Sequence, residues 1–213
     1  MFVRERMTPN PITIQETASI TEVTALMKEN KLKKVPVLNG TKLVGVVTDK
    51  DIDRVSPSGA TTLSVFEIGA LLAKTTVKDA MKPAITVTPD TYIEDVAIKM
   101  REARCNVVII TAEEKVVGII TESDMLDSFI AMLGGREEGN RYIIEADNVP
   151  GVLGRLGNAT NELGINVNHF VFTHCTQEGN AELLVRTTKD GRIKEVSDTF
   201  NNLGFVVKDA CVK

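Results

Sequence analysis

Apolar positions along this chain come in short runs of two kinds, pairs and triplets that alternate with polar residues and longer stretches spaced three and four apart. Ile12 and Ile14 flank Thr13 as a short strand after Pro11. Ser19 with Glu22 three residues on has the spacing of a capping box. Ile20, Val23, Ala25, Leu26 and Met27 then lay an apolar face on a helix running to Asn30. Val35-Pro36-Val37-Leu38 reads as a strand, Asn39-Gly40 as a tight hairpin turn and Lys42 to Val47 as the partner strand. Thr48 occupies the N-cap position of a second helix over Asp49 to Val55, so the predicted order is β-α-β-β-α.

The same order returns. A strand at Ile85-Thr86-Val87 precedes a helix from about Ile93 to Ala103, strands at Asn106 to Ile110 and Lys115 to Ile120, and a helix from Glu122 to about Leu133. Two phrases recur with it. Met7-Thr8-Pro9 is matched by Met81-Lys82-Pro83, and Leu43-Val44-Gly45-Val46-Val47-Thr48-Asp49-Lys50-Asp51 by Val116-Val117-Gly118-Ile119-Ile120-Thr121-Glu122-Ser123-Asp124. Matched by their apolar character, Val107 answers Val35 and Val108 answers Pro36. An internal duplication predicts two similar halves packed about a pseudo-twofold axis, with a cleft between them suited to a small ligand. A polar loop, Ser56 to Thr62, and a short helix around Val65 to Leu72 separate the copies.

After residue 133 the pattern changes. Gly134-Gly135-Arg136-Glu137-Glu138-Gly139-Asn140 has the composition of a flexible linker. Beyond it come a strand (Arg141 to Ala146), a helix with Val152, Leu153, Leu156, Ala159 and Leu163 at helical spacing, two strands (Ile165 to Thr173, Ala181 to Thr187), a helix (about Arg192 to Leu203) and a last strand, Phe205 to Cys211. The turn between the middle strands is placed at Gln177-Glu178-Gly179-Asn180. This β-α-β-β-α-β order is the split β-α-β of a ferredoxin-like sandwich. The expected organisation of the 213 residues is therefore a first repeat at 1–60, a linker with a short helix at 61–75, a second repeat at 76–133, a linker at 134–140 and a third unit at 141–213.

Composition narrows the chemistry. A hydrophobic share of 43% with 25% charged residues is ordinary for a globular chain, and a net charge of −4 supplies no positive field for nucleic-acid phosphates. Trp is absent and aromatics make up 4%, which argues against base-stacking platforms. Cys105, Cys175 and Cys211 are widely spaced and cannot all pair within the chain, so a reducing, cytoplasmic setting is expected. No apolar run approaches the roughly 18 residues of a membrane span, and the first ten residues lack the apolar core of a signal peptide.

The duplicated Thr-x-x-Asp carries the candidate chemistry. Each strand delivers its threonine, Thr48 or Thr121, to the start of a helix, where free N–H groups attract anions such as phosphate. Asp51 or Asp124, within the first helical turn, can accept hydrogen bonds from a pair of vicinal hydroxyls, as on ribose. Val35 and Val107 are placed to sandwich a base, and Lys33, Lys34 and Arg104, just before those strands, to pair with phosphates. The same spacing also reads as a helix cap with no ligand. Two copies in one duplicated scaffold favour the binding reading.

These phrases, with Met-x-Pro and Val35-Pro36-Val37, resemble a tandem pair of CBS domains, a Bateman module, over about residues 7 to 133. The resemblance implies adenosine-containing ligands (AMP, ADP, ATP, NADH or S-adenosylmethionine) bound between the repeats. Thr48 and Thr121 would meet phosphate, Asp51 and Asp124 the ribose, and Thr13, Val35, Thr86 and Val107 the base. The third unit resembles an ACT domain on Asn148-x-Pro150-Gly151-Val152-Leu153 followed by Gly164-Ile165-Asn166-Val167. That resemblance implies an amino-acid site at Asn148, Gly151, Val152, Leu153 and Asn166, lying between two such units; a plain turn and strand start is the other reading. The CBS–CBS–ACT order is similar to acetoin-utilization proteins of the B type.

Other residues read plainly. His169 and His174 lie five apart on one strand, on opposite faces, and no metal site is expected. Met100, Met125 and Met132 suit core or dimer packing. Ser58 and Ser123 have no histidine in context, so no catalytic residues are expected. The reading is an α+β, non-enzymatic regulatory sensor of adenine nucleotide. Its expected partners are a second copy in a homodimer and a regulated protein of unknown identity, with neither nucleic acid nor membrane. A ligand-free assembly module is the alternative.

Overall fold

Helix caps set where the chain turns. Ser19 Oγ accepts the Glu22 N–H at 3.2 Å while the Glu22 carboxylate accepts the Ser19 N–H at 2.7 Å, the reciprocal box expected from the spacing. The same pairing recurs at Thr48 with Asp51 and at Ser64 with Glu67. The computed structural model describes residues 1–57, 64–175 and 179–213. Most of the polar loop expected at 56–62, with Ser58, lies outside the described residues, as do Gln177, Glu178 and the side chain of His174.

Two compact units form, Met1–Leu126 and Asp127–Lys213. The first contains a 3-10 turn at Val3–Glu5, β1 (Thr8–Pro9), β2 (Ile14–Gln15), α1 (Ile20–Glu29), β3 (Lys34–Asn39), β4 (Lys42–Thr48), α2 (Asp49–Val55), α3 (Val65–Lys74), α4 (Val77–Ala80), β5 (Thr86–Val87), α5 (Ile93–Glu102), β6 (Val107–Ala112), β7 (Lys115–Thr121) and the start of α6 (Glu122–Met132). In the first repeat β2 runs parallel to β3, which runs antiparallel to β4. In the second, β5, β6 and β7 repeat this, and β1 joins the far edge of β7.

Strand register corrects the sequence match between the repeats. Lys34 lies opposite Thr48, and Val107 lies opposite Thr121. With the two threonines equivalent, Val107 answers Lys34, Val108 answers Val35 and Ile109 answers Pro36. The match by apolar character was one residue out, and in a strand one residue reverses the face. Val35 and Val108 accordingly sit fully buried in the cores of their own repeats.

The Met-x-Pro phrases are exchanged between the repeats. Thr8 and Pro9, which open the first repeat in sequence, pair with Ile119 and Gly118 of the second. Lys82, which opens the second, forms two main-chain hydrogen bonds with Val46 of the first, at 2.9 and 3.0 Å. This explains the glycine in each shared phrase. A β-carbon on Gly118 would overlap the Met7 side chain, and one on Gly45 would stand 2.7 Å from the Lys82 carbonyl oxygen. Helix α4, placed by sequence in the second repeat, buries Val77 and Ala80 in the core of the first beside Ile20, Val23 and Val47. Val3, near the N-terminus, packs in the core of the second with Val96, Ile110 and Ile120. A small cluster of Val46, Val107, Ile109 and Ile119 lies where the two repeats meet.

The second unit contains β8 (Asn140–Asp147), α7 (Val152–Glu162), β9 (Val167–Cys175), β10 (Asn180–Thr187), α8 (Ile193–Asn202) and β11 (Val206–Val212). Its sheet is antiparallel throughout, in the order β11-β8-β10-β9. Alternate residues Tyr142, Ile144 and Ala146 of β8 and Leu183 and Val185 of β10 face Leu156, Val196 and Phe200 from the two helices. Phe200 meets Tyr142 and Phe205 edge-on, with ring centroids 5.5 and 6.1 Å away.

Candidate functional site

Both repeats contribute to each of two clefts in the first unit. After α1 and α5 the chain turns through Lys31 (φ 55°) and Arg104 (φ 50°), equivalent positions with left-handed backbone. The residues that follow then run past the strand–helix junction of the other repeat. In the first cleft Arg104 to Val107 face Thr48, Lys50 and Asp51 around a cavity of about 430 Å³. In the second, Lys31 to Lys34 face Thr121, Ser123 and Asp124 around a cavity of about 440 Å³. The exchanged arms close each cleft, Lys82 and Ile85 at the first and Thr8 and Ile12 at the second.

Asp51 is 2% exposed and makes contacts through both oxygens. Oδ2 accepts from the Thr48 N–H at 3.1 Å and hydroxyl at 2.7 Å. Oδ1 receives Arg54 Nη2 and Lys82 Nζ, each at 2.8 Å. Burial pushes its pKa up, but Lys82 and Thr48 together outweigh burial and hold the carboxyl below its ordinary range. At the second cleft the Thr121 N–H and hydroxyl donate to Asp124 Oδ2 at 2.7 and 2.8 Å. The reciprocal cap is therefore present at Thr48, Asp124 accepts from both Thr121 donors, and both junctions also line the clefts. Lys34 is half-buried, and its Nζ donates to the Asn106 carbonyl at 2.8 Å. Burial pulls its pKa down, against the opposing pull of Glu122, Asp124 and Asp49.

The sequence-predicted residues divide. Thr48, Asp51, Arg104 and Val107 come together in the first cleft, and Lys33, Lys34, Thr121 and Asp124 in the second. Val35 does not reach a cleft, because its strand turns it into the core. Thr13 and Thr86 line separate grooves, the former with Gln15 and Glu22, the latter with Asp95 and Lys99. Their neighbours Ile12 and Ile85 face the clefts instead, since adjacent residues of an extended chain point to opposite sides. Lys31 and Lys82 were not anticipated. The shared Met-x-Pro phrase pointed to the arm carrying Lys82, but nothing local shows which repeat that arm reaches.

In the second unit Gly151 caps α7 in the left-handed region at φ 89°, a conformation that favours glycine. Val152 is enclosed in the core, so its side chain cannot face a ligand as expected, whereas Leu153 is exposed. The Asn148 N–H donates to the Gly179 carbonyl at 2.9 Å, and the Asn166 side chain donates to that of Asn168 at 2.9 Å. His169 contacts Glu137 at 2.9 Å and the Met132 carbonyl at 3.1 Å through its two ring nitrogens. Among the described residues, no three of His, Cys, Asp and Glu cluster as metal ligands, and no helix is long and apolar enough to cross a membrane.

The CBS-domain profile matches residues 3–58 and 77–131. The chain belongs to the CBS-domain family. The matched segments are the two repeats that form the clefts, so the chain carries a tandem CBS pair. Two uncharacterized proteins of Methanocaldococcus jannaschii are similar. One is 37% identical over 84 residues, which is 39% of each chain, and the other is 26% identical over 155 residues, 61% of this chain and 92% of that one. The chain thus spans well under half of the first relative's length. Among solved structures, a candidate acetoin utilization protein (AcuB) from Vibrio cholerae superimposes with a TM-score of 0.52 at 25% identity, covering 64% of this chain and 96% of that one. The CBS pair of protein MJ0100, in complex with 5'-methylthioadenosine and S-adenosyl-L-methionine, gives 0.51 at 26%, over 64% and 98%. CBSX2 in complex with AMP gives 0.51 at 27%, over 62% and 97%.

Proposed function

We propose that this CBS pair is a non-enzymatic regulatory sensor that binds adenine nucleotides (AMP, ADP or ATP, with NADH as a further candidate) in its two clefts. The observation that carries the reading is the reciprocal construction of the clefts. Each sets a hydrogen-bonded Thr-x-x-Asp junction of one repeat against the helix–strand loop of the other, which carries Arg104 at the first cleft and Lys31, Lys33 and Lys34 at the second, phosphate chemistry beside ribose chemistry. The similar CBS pairs that hold AMP or S-adenosyl-L-methionine support the same class of ligand. A nucleotide that binds one arrangement of the repeats more tightly shifts the population toward it, and a partner protein reads that shift.

The second unit has the element order and sequence phrases expected of a ferredoxin-like ACT domain, and in this reading it binds an amino acid through Asn148, Gly151 and Asn166 or mediates assembly. A cytoplasmic role linked to acetoin breakdown fits the similarity to AcuB. Calorimetric titration of the full chain with AMP, ATP and NADH tests the nucleotide reading. Binding weakened by Asp51→Ala and Asp124→Ala is expected, and no heat from any ligand would sink it.

One observation favours assembly as well. Leu126, Phe129 and Met132 form an exposed apolar stripe along α6 at three-residue spacing. In this second reading α6 is a homodimer face. Light scattering should then give twice the chain mass, falling to one chain mass in Phe129→Ser; a wild-type monomer at high concentration would refute it.

A further inference from the structure

The face of the second unit's sheet that turns away from its helices carries a row of cationic side chains. Tyr142 of β8 and Val185 of β10 face the helices, so their neighbours Arg141 and Arg186 point to the other side. Strand register sets Arg186 directly between Arg141 and His169, with Cys211 on the far side of Arg141. Like charges standing opposite each other on neighbouring strands repel. The carboxylates beside this pair are engaged elsewhere. Arg141 Nη2 donates to Asp209 at 3.0 Å, and His169 Nε2 lies 2.9 Å from the Glu137 carboxylate. The second ring nitrogen of His169 faces the Met132 carbonyl, so the imidazole offers Arg186 no acceptor. Arg186 is only 7% exposed. Its Nε is enclosed without a hydrogen-bond partner among the described residues, and so is that of Arg141. Gly134 lies against the arginine stem, since a β-carbon there would stand 3.0 Å from Arg186 Cδ.

We infer that Arg141 and Arg186 form an oxyanion site on this face, taking a small carboxylate or phosphate group on their two enclosed Nε–H donors. A buried guanidinium without a counter-charge is strongly unfavourable, and an oxyanion removes both that cost and the repulsion between the arginines. Guanidinium donors suit carboxylate and phosphate, whose oxygens accept hydrogen bonds side by side, better than they suit a spherical ion such as chloride. The group is small, because the chain at Gly134 already lies over the Arg186 stem. The site is independent of the nucleotide reading: it lies within Asp127–Lys213, whereas the clefts belong to the first unit. It is also separate from the amino-acid reading at Asn148, Gly151 and Asn166, none of which stands in this row. An anionic metabolite bound here gives the second unit a signal of its own.

The chain has two histidines, so the ring-proton resonances of His169 are a local probe beside Arg186, assigned with His174→Gln. Nuclear magnetic resonance of the full chain at fixed pH follows them as inorganic phosphate, acetate or chloride is added at matched ionic strength. Phosphate or acetate is expected to shift the His169 signal saturably, and the tighter of the two names the class of ligand. Arg186→Met should weaken that response about tenfold or more, the scale of losing a hydrogen bond to a charged group. This variant removes an uncompensated buried charge, so it should unfold no earlier than wild type in phosphate-free buffer. Arg186→Lys keeps the charge, loses the forked donors and should weaken the response as well. No saturable shift with either oxyanion, an equal response to chloride, or a response unchanged in both Arg186 variants would overturn the inference. AMP binding to the same variants, read by calorimetry, should match wild type. Failure of the oxyanion site therefore leaves the nucleotide reading standing, and failure of AMP to bind leaves the oxyanion site standing.

Discussion

The main-chain carbonyl oxygen of Lys82 lies 2.7 Å from the point where a β-carbon on Gly45 would stand. Glycine here is a requirement of the arm crossing rather than of backbone angle. Its counterpart, Gly118, faces the flexible Met7 side chain instead of a main-chain atom. Gly45→Ala should therefore cost about 2–3 kcal/mol, as overpacking against backbone does, and Gly118→Ala about 1 kcal/mol or less after Met7 shifts. Urea unfolding of the two variants checks the ordering, and equal losses would contradict it.

Asp51 makes the stability of the first unit acid-sensitive. Its folded pKa lies below the ordinary carboxylate value, so it contributes stability that is fully present above the unfolded pKa. That contribution is lost as pH falls through the folded value. Asp51→Asn should be less stable than wild type at neutral pH and nearly equal to it in strong acid. Chemical unfolding at neutral and acidic pH measures the convergence, and a constant gap would argue against it.

Lys34 supplies an alkaline counterpart. Burial lowers its pKa, so as pH rises it loses its charge before an exposed lysine does. Binding of ATP in the second cleft should weaken on the alkaline side earlier in wild type than in Lys34→Arg, whose guanidinium keeps its charge. Affinity measured across that range tests the difference.

In the second unit, Phe200 touches two further aromatic rings and has no exposed surface. Phe200→Ala should cost about 3–5 kcal/mol, the range for removing a buried aromatic ring. Thermal unfolding with near-ultraviolet circular dichroism at the Tyr142 band reads the loss.

Much of this fold is written locally. The Ser19–Glu22 and Thr48–Asp51 boxes depend on residues three apart, and the duplicated phrases show the repeats without any contact being known. Equivalence within the strands was harder to read. Val35 and Val107 are both apolar, and only the pairing of Lys34 with Thr48 and of Val107 with Thr121 shows that they face opposite ways. The clefts suffered from the same ambiguity, with Thr13 and Thr86 standing one residue away from the side chains that line them. The arm crossing was not legible at all, because Thr8 finds Ile119 across more than a hundred residues and hydrophobic spacing names no partner.

That crossing also bears on how the pair is made. The first arm is synthesised before β7 and waits for that strand before it has a partner to join. The first repeat cannot close its own sheet edge until Lys82 has been added. Cutting the chain between the repeats would leave Val46 and Ile119 on bare strand edges, each ready to pair with whatever strand comes near. Neither repeat can be inherited, expressed or transplanted alone without carrying a length of the other.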